Sequence, residues 1–336
     1  MKSRSLTRQK RAIKTGFIPS LLFLLVLLPF FAHAASPVKR PLSGHNEKSV
    51  INNNSTVTIS GRIDIGILNG ESHEYVYQRG NRISKLNWDL SNNAMLNIGL
   101  SARFNQWINV NSDVWFALSE SSSMDDYDWQ IPEYDWTHWS HHDDTQLSSA
   151  VLFDINAEIS IYQPPQFTLF GIVGFRRDTW AWDAYGGTYV YSINGFRDTR
   201  GTFGNDLNII SYEQEFNVPY AGIGLTAGFD NLSFTARIIG SPFVDARAED
   251  NHYLRNLRFE DDYSSETMIG FDLLCRYRFN AHLSFTTTFK YQDYKEMKGE
   301  TTTIDTRTGR AYTVPGSSAG LSHSSALVTL GILYHF

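Results

Sequence analysis

Cysteine is nearly absent from this sequence, since Cys275 is the only one in 336 residues. An internal disulfide, a cysteine-based metal site and a Cys–Cys redox motif are therefore excluded. After residue 34 the sequence also lacks any run approaching the ~20 apolar residues of a membrane-spanning helix. If the protein lies in a membrane, it has to cross the bilayer as a β-barrel.

The sequence also lacks an excess of basic over acidic residues. The chain has 29 Lys and Arg against 35 Asp and Glu, and six of the basic residues lie within positions 1–34. The remaining part therefore has 23 basic and 35 acidic residues, a net charge of −12. This balance disfavours nucleic acid as a partner, because phosphates require a basic surface, and it favours cationic partners.

Residues 1–34 have the parts of an export signal. A basic segment without acidic residues precedes the apolar FIPSLLFLLVLLPFFAHA, and Ala32-x-Ala34 supplies a cleavage site of small residues. We therefore predict a signal peptide over residues 1–34 and one domain over residues 35–336. The polar, Asn-rich residues 35–55 are expected to form a leader before that domain's first strand.

Beyond residue 55, apolar and polar residues alternate. In VTISGRIDIGI, the residues Val57, Ile59 and Ile63 share one face, opposite Thr58 and Arg62, and the same period recurs up to SALVTLGILYHF at the C-terminus. Such alternation is typical of a soluble antiparallel sandwich or of a transmembrane barrel. Aromatic residues at the ends of the apolar faces, and connections that are short and long in turn, favour the barrel.

The sequence thus predicts an all-β, ten-stranded antiparallel transmembrane barrel whose strands project well beyond the bilayer. Short turns would face the periplasm and long loops the exterior, and Pro219 and Pro242 fall inside strands, where they indicate bulges or edge irregularities. The predicted strands are 57–69, 84–104, 107–126, 145–162, 167–185, 206–229, 232–246, 262–279, 283–299 and 317–336. The predicted long loops are 70–83, 127–144, 186–205, 247–261 and 300–316.

Two pairs of chemically active residues lie at the predicted outer end. Asp126 and Asp128 occur in MDDYDWQIPEYDWTHWSHHDDTQL, and Asp250 and His252 occur in VDARAEDNHYLR. In extended backbone, residues two apart point the same way. If both pairs point inward, a histidine base oriented by one carboxylate faces two further acids, a set suited to activating water. The alternative is a solvated acidic loop without catalytic function.

The same segment holds residues that bind metals in other proteins. His138, His141, His142 and Asp143 could ligate Zn²⁺. Exposed histidines among aspartates are more often simply solvated, and we predict no functional metal.

The chain resembles the omptins, outer-membrane aspartyl proteases of Gram-negative bacteria, over essentially all of residues 35–336. The resemblance rests on six motifs in matching order. They are LNWDLSNNA (86–94), DYDW (126–129), DTQL (144–147), GGTYVYS (186–192), GFRD (195–198) and DNHY (250–253).

The resemblance implies a ten-stranded barrel with its active site at the outer end, facing the exterior of the cell. It implies catalytic roles for Asp126, Asp128, Asp250 and His252, with the Asp/His pair activating water. It also implies that Glu74 binds the basic side chain before the scissile bond of a cationic peptide or protein. The residue that would assist Glu74 is Ala248 here, which predicts weaker selection for Arg and Lys. Ser140 and His142 match positions once suspected of serine-protease chemistry in this family, and we expect supporting or binding roles for them.

The resemblance further implies contact with outer-membrane lipid and activation by lipopolysaccharide, although the matching positions, Phe175, Arg177, Thr179 and Glu215, keep little of the family's pattern. No cofactor is expected, and we expect a monomer. Two other classes of function stay open at this point. One is a non-enzymatic barrel that acts as an adhesin or small pore. The other is a lipid-acting enzyme, for which no Ser/His/carboxylate set lies at lipid depth.

Overall fold

The computed structural model describes residues 57–131 and 134–336. The predicted signal peptide (1–34) and leader (35–55) lie outside the described residues. Among the residues that are described, no helix is long and apolar enough to cross a membrane. The elements are β1 (Val57–Gln78), β2 (Asn81–Phe104), β3 (Ile108–Ala117), β4 (Ser121–Asp128), β5 (His138–Tyr162), β6 (Phe167–Tyr185), β7 (Thr188–Tyr191), β8 (Thr199–Thr202), β9 (Asn208–Phe229), β10 (Leu232–His252), a 3-10 turn (Tyr253–Arg255), β11 (Leu257–Arg278), β12 (Leu283–Asp305) and β13 (Ala311–His335).

The strands close into one antiparallel ring. β1 pairs with both β2 and β13, and the pairing continues from β13 through β12, β11, β10, β9 and β6 to β5. β3 and β4 complete the ring between β2 and β5. They occupy one position, interrupted at residues 118–120, while β7 and β8 form a hairpin on the end of β5. The described chain therefore has ten positions around the ring, which confirms the predicted ten-stranded all-β barrel.

The outer face of the ring is apolar and the inner face is polar over the half nearest the short turns. Ile65, Leu100 and Leu330 are 60–63% exposed on the outside, whereas Asp64 and Asn97 are 0–1% exposed inside. A soluble protein would reverse this arrangement, while a barrel in a bilayer requires it. The aromatic residues expected at the rim near the short turns are all exposed there, as an interfacial girdle needs. They are Phe104, Trp107, Phe229, Phe279, Tyr334 and Phe336.

The interior of this lipid-facing half is held together by buried ion pairs. Arg62 lies 2.5 Å from Asp113, Arg176 lies 3.0 Å from Asp154, and Arg237 contacts Glu158 at 2.7 Å. They line a cavity of about 250 Å³. Because each of these three arginines has a carboxylate partner, their charges are compensated inside the barrel.

Aromatic side chains fill the barrel above this cavity. Trp88, Trp182 and Tyr212 extend from β2, β6 and β9, and their ring centres are 5.4–6.1 Å apart. All three are 0–1% exposed. Below them Phe216 stacks on Tyr294 at 4.2 Å. These rings come from opposite sides of the ring of strands and close its lumen, which counts against the small-pore alternative.

The strands extend farther from the lipid-facing half than predicted. The expected short connections are found near residues 105, 164, 230 and 280, but most residues of the five predicted long loops are in strands or in the β7–β8 hairpin. β1 and β2, for example, meet in a two-residue turn at Arg79-Gly80, where both φ angles are positive (53° and 83°). Pairing continues because each neighbouring strand still offers hydrogen-bond partners to the backbone, even where both faces are polar. We call this end of the barrel the mouth.

Candidate active site

Both predicted pairs lie in strands at the mouth, not in loops. Asp126 and Asp128 end β4, where Asp126 is paired with Leu86 on one side and Ser140 on the other. Asp250 and His252 end β10, where Asp250 is paired with Tyr212 and Phe259.

Strand irregularities turn these pairs toward the lumen. Below the bulge at Pro242 and Phe243, the buried positions of β10 are Ile239 and Ser241. Above the bulge, the buried positions are Val244 and every second residue up to His252. One extra residue reverses which alternate side chains point inward. The break between β3 and β4 has the same effect, since Asp113 and Trp115 are buried below it and Met124 above it. Without these two interruptions the four predicted catalytic side chains would point out of the barrel. The prediction of an irregularity at Pro242 is confirmed.

His252 is held by a buried carboxylate. Its Nε2 donates to Asp250 Oδ2 at 2.5 Å, and its ring meets the Phe259 ring edge-on at 5.4 Å. Asp250 is 1% exposed and His252 9%. A carboxylate on Nε2 fixes the orientation and tautomer of the ring and leaves Nδ1 as its proton acceptor.

Arg255 occupies that acceptor. It lies in the turn just beyond β10, and its Nη2 donates to His252 Nδ1. Its charge also acts on Asp126, where it opposes the rise in the pKa of that carboxyl group. Because Arg255 is exposed at the end of a turn, its side chain can leave Nδ1 when another molecule enters the mouth.

Asp126 and Asp128 form the acidic wall opposite. Burial and the neighbouring Asp128 and Asp250 carboxylates raise the pKa of Asp126 well above its ordinary value, against the opposing effect of Arg255. Ser84 Oγ donates to Asp126 Oδ1 at 3.4 Å. Burial, Asp126 and Asp128 also raise the pKa of Tyr191 to about 12. A protonated Asp126 beside Asp128 can donate a proton where a fully ionised pair could not.

Ser140 and His142 are neighbours of this wall. Both are buried on the inner face of β5, and His142 Nε2 lies 3.0 Å from Ser140 Oγ. His142 stacks on Phe203, and its Nδ1 has no hydrogen-bond partner among the described residues. A serine nucleophile needs a histidine that a third group orients. Within the described part of the chain, no carboxylate pairs with His142, whereas His252 has Asp250.

The four residues considered for a metal point to different sides of β5. His141 contacts Asp125 at 2.9 Å and Asp143 at 2.7 Å, whereas His142 contacts Ser140 on the inner face. Burial lowers the pKa of His141, but its bonds to Asp143 and Asp125 outweigh this effect and raise it overall. Residues 57–131 and 134–336 contain no group of three or more ligands that could hold a metal ion.

Glu74 lies deep in the mouth and is 4% exposed. Burial and the charges of Asp250, Asp261 and Asp126 raise its pKa well above the ordinary value. Ala248 is also inward-facing and buried, as its match to the family's second acid requires. Of the positions matched to lipopolysaccharide binding, Arg177 is paired with Glu215 at 2.6 Å on the outer face.

Three residues of the mouth were missed from the sequence: Arg255, Asp261 and Tyr191. Arg255 follows His252 by three residues, but only the 3-10 turn brings it back to the ring. Asp261 belongs to the acidic run EDD (260–262), and the register of the strand decides which of these three side chains points inward. Tyr191 lies in GGTYVYS, a motif that was noted without any role for its tyrosines.

Comparisons with known proteins agree on one family. The model of the Omptin family matches residues 55–336. The plasminogen activator of Yersinia pestis is 31% identical over 275 residues, which cover 81% of this chain and 87% of that protein. The outer membrane protease OmpP of Escherichia coli (strain K12) is 28% identical over 285 residues, with coverage of 83% and 90%. The crystal structure of outer membrane protease OmpT from Escherichia coli has a TM-score of 0.79 at 25% identity, covering 83% of this chain and 97% of that one.

Proposed function

This chain belongs to the omptin family, and we propose that it is an endopeptidase that cleaves polypeptides next to basic residues with water activated by Asp250 and His252. One observation carries the proposal: Asp126 and Asp128 of β4 lie at the same end of a closed barrel as Asp250 and His252 of β10, and the charge of Asp250 acts on Asp126. The names of the relatives support protease activity. The resemblance to the omptins implies the aspartic-type mechanism and the preference for basic residues, and the geometry of the mouth supports both.

The reaction begins when a substrate replaces Arg255 at His252. A water molecule then hydrogen-bonds to Nδ1, which takes its proton as the oxygen attacks the scissile carbonyl carbon. Asp250 stabilises the imidazolium that forms, because it already accepts from Nε2 at 2.5 Å. Burial and Asp128 raise the pKa of Asp126, so that its carboxyl group can donate a proton to the departing amine as the C–N bond breaks. These steps use no covalent intermediate and no cofactor.

Cationic substrates are favoured by the charge of the mouth. Asp126, Asp128, Asp250 and Glu74 put several carboxylates around one opening, and concentrated negative charge attracts a basic peptide and speeds its association. The same four residues would bind a cationic partner in an adhesin, but an adhesin has no need of the His252–Asp250 contact. We further propose that the protein acts as a monomer, since one chain closes the ring.

A peptide library tests the function. The refolded protein, with and without lipopolysaccharide, is expected to cut after Arg or Lys, as mapped by mass spectrometry of the products. The comparison between the two conditions shows whether the lipid activates it. Absence of cleavage in both conditions would contradict the endopeptidase and favour the adhesin.

The protein is an outer-membrane barrel, and we propose that its mouth faces the exterior. This orientation gives access to the substrates and leaves the short turns on the periplasmic side. On intact cells, added protease should cut within 129–137 or 253–256, the connections beside the two catalytic pairs. Cleavage there only after the outer membrane is permeabilised would contradict the orientation.

A further inference from the structure

A second carboxylate faces the space beside Glu74. Asp261 lies on β11 directly opposite Ala248 on β10, and both residues are 6% exposed on the inner face. Directly paired residues of antiparallel strands have Cα atoms roughly 4.5–5.5 Å apart. Asp261 therefore holds a carboxylate within one strand spacing of the position where Ala248 lacks one.

A bulge in β11 turns Asp261 inward. Met268 and Gly270 are buried below Ser265, whereas Tyr263 and Asp261 are buried above it. Ser265 has a φ of 64°, and pairing with β10 shifts at this point. The extra residue reverses the alternation, so that Asp261 faces the mouth and Asp262 faces outward.

Glu74 and Asp261 are both buried and have no cationic partner among the described residues. Glu74 Oε2 and Asp261 Oδ1 are buried and have no hydrogen-bond partner among the described residues, and no described Lys or Arg forms an ion pair with either residue. Asp261 Oδ2 accepts from the Tyr263 hydroxyl at 3.1 Å. The charge of Asp261 acts on Glu74, and both act on Tyr212 and Tyr263. Buried carboxylates without a partner are costly unless an opposite charge joins them.

We propose that Asp261 supplies the second carboxylate of the pocket for the basic side chain, in place of the acid that is absent at Ala248. This inference rests on the proposed function and names a specificity-determining residue for it. Glu74 and Asp261 contact the cation, while the buried rings of Tyr212 and Tyr263 form walls on which a guanidinium can stack. The weaker selection expected from Ala248 is then not required, because the second charge comes from the adjacent strand.

The placement also explains why position 248 is not acidic. An aspartate there would stand directly across the strand pair from Asp261, and like charges in that position are destabilising. Either position 248 or position 261 can therefore supply the second carboxylate of the pocket. Ala248→Asp should sharpen selection little in the native chain but should restore selection when Asp261 is removed.

The test compares two matched peptides that carry arginine or its neutral isostere citrulline before the scissile bond. Asp261→Asn should lower the arginine-to-citrulline ratio of kcat/KM by about ten- to a hundredfold, as expected for loss of a sheltered charged contact. The slower gel mobility of boiled than of unboiled samples shows separately that the barrel of this variant is folded. The control is Asp262→Asn. Asp262 is exposed on the outer face of the barrel, where it pairs with Arg247 at 3.1 Å. The arginine-to-citrulline ratio of this variant should therefore equal that of the wild type. The double variant Asp261→Ala/Ala248→Asp should recover the ratio.

The same ratio should rise with pH in the wild type. Burial raises the pKa of Asp261 to about 7, with contributions from Asp250 and Asp262 and opposing bonds from Thr301 and Tyr263. Glu74 and Tyr212 face it from β1 and β9. Asp261 becomes charged as the pH rises through about 7, so selection for arginine should strengthen there. The rise should be smaller in Asp261→Asn, where Glu74 is the remaining carboxylate that gains charge. Catalytic groups that act equally on both peptides cancel in the ratio.

The outcomes are separable. If the wild type cleaves neither peptide, the proposed function fails. If the wild type prefers arginine and Asp261→Asn keeps that preference, Asp261 is not part of the pocket and the inference is wrong.

Discussion

Replacing His252 with alanine should lower kcat/KM for a basic peptide by about 10²–10⁴-fold, the usual contribution of a positioned general base. The variant loses the ring that takes the proton from water. Asp250, 1% exposed, would also lose the Nε2 donor that it now accepts from at 2.5 Å. Steady-state kinetics with the arginine peptide measure the effect, and the slower gel mobility of boiled than of unboiled samples verifies folding.

Asn251→Ala is the matched control for this variant. Asn251 lies between the two catalytic residues of β10, but its side chain faces the other way and donates to Glu249 Oε1 at 3.0 Å. Its kcat/KM should stay close to that of the wild type. A His252→Ala protein as active as the wild type would rule out His252 as the base.

Replacing Trp88 with alanine should lower the free energy of unfolding by about 3–5 kcal/mol, the range for truncation of a large buried aromatic residue. Trp88 is fully buried, with its ring 5.4 Å from Tyr212 and 5.8 Å from Trp182. Its loss leaves a cavity directly below the active site, because Leu86, two residues earlier, is paired with Asp126. The folded fraction can be followed on unboiled gels over a series of urea concentrations.

Trp88→Phe provides the comparison for that cavity. A phenyl ring keeps part of the stack, so its midpoint of unfolding should lie between those of the wild type and Trp88→Ala. An unchanged midpoint in Trp88→Ala would show that the aromatic layer does not stabilise the barrel.

The ring of strands could be predicted because a bilayer imposes a strong contrast between its two faces. Ile63 and Ile65 face lipid while Asp64 faces the lumen, and this contrast appears in the sequence as a period of two. At the mouth the contrast fades, since both faces meet water. The sequence therefore predicts loops at the outer ends of β1, β5, β10 and β12 and at the β7–β8 hairpin.

The catalytic pairs could be proposed from spacing and from the family motifs, but their direction could not. Asp250 points inward because of one extra residue near Pro242, and Asp126 because of the break after β3. Asp261 depends on a third irregularity, at Ser265. A shift of one residue at any of these points moves the side chain to the other face, and alternation in the sequence does not show which residue is the extra one.

The most direct point to test is whether His252 or His142 acts as the base in catalysis. Ser140 and His142 lie 3.0 Å apart beside Asp126, so a covalent mechanism through Ser140 would use residues of the same mouth. The decisive measurement is kcat/KM of folded Ser140→Ala for the arginine peptide, side by side with His252→Ala. If water is activated by His252, Ser140→Ala retains most of its cleavage while His252→Ala loses it. Complete loss of cleavage in Ser140→Ala with activity kept in His252→Ala would mean that Ser140 is the nucleophile and that His252 is not the base.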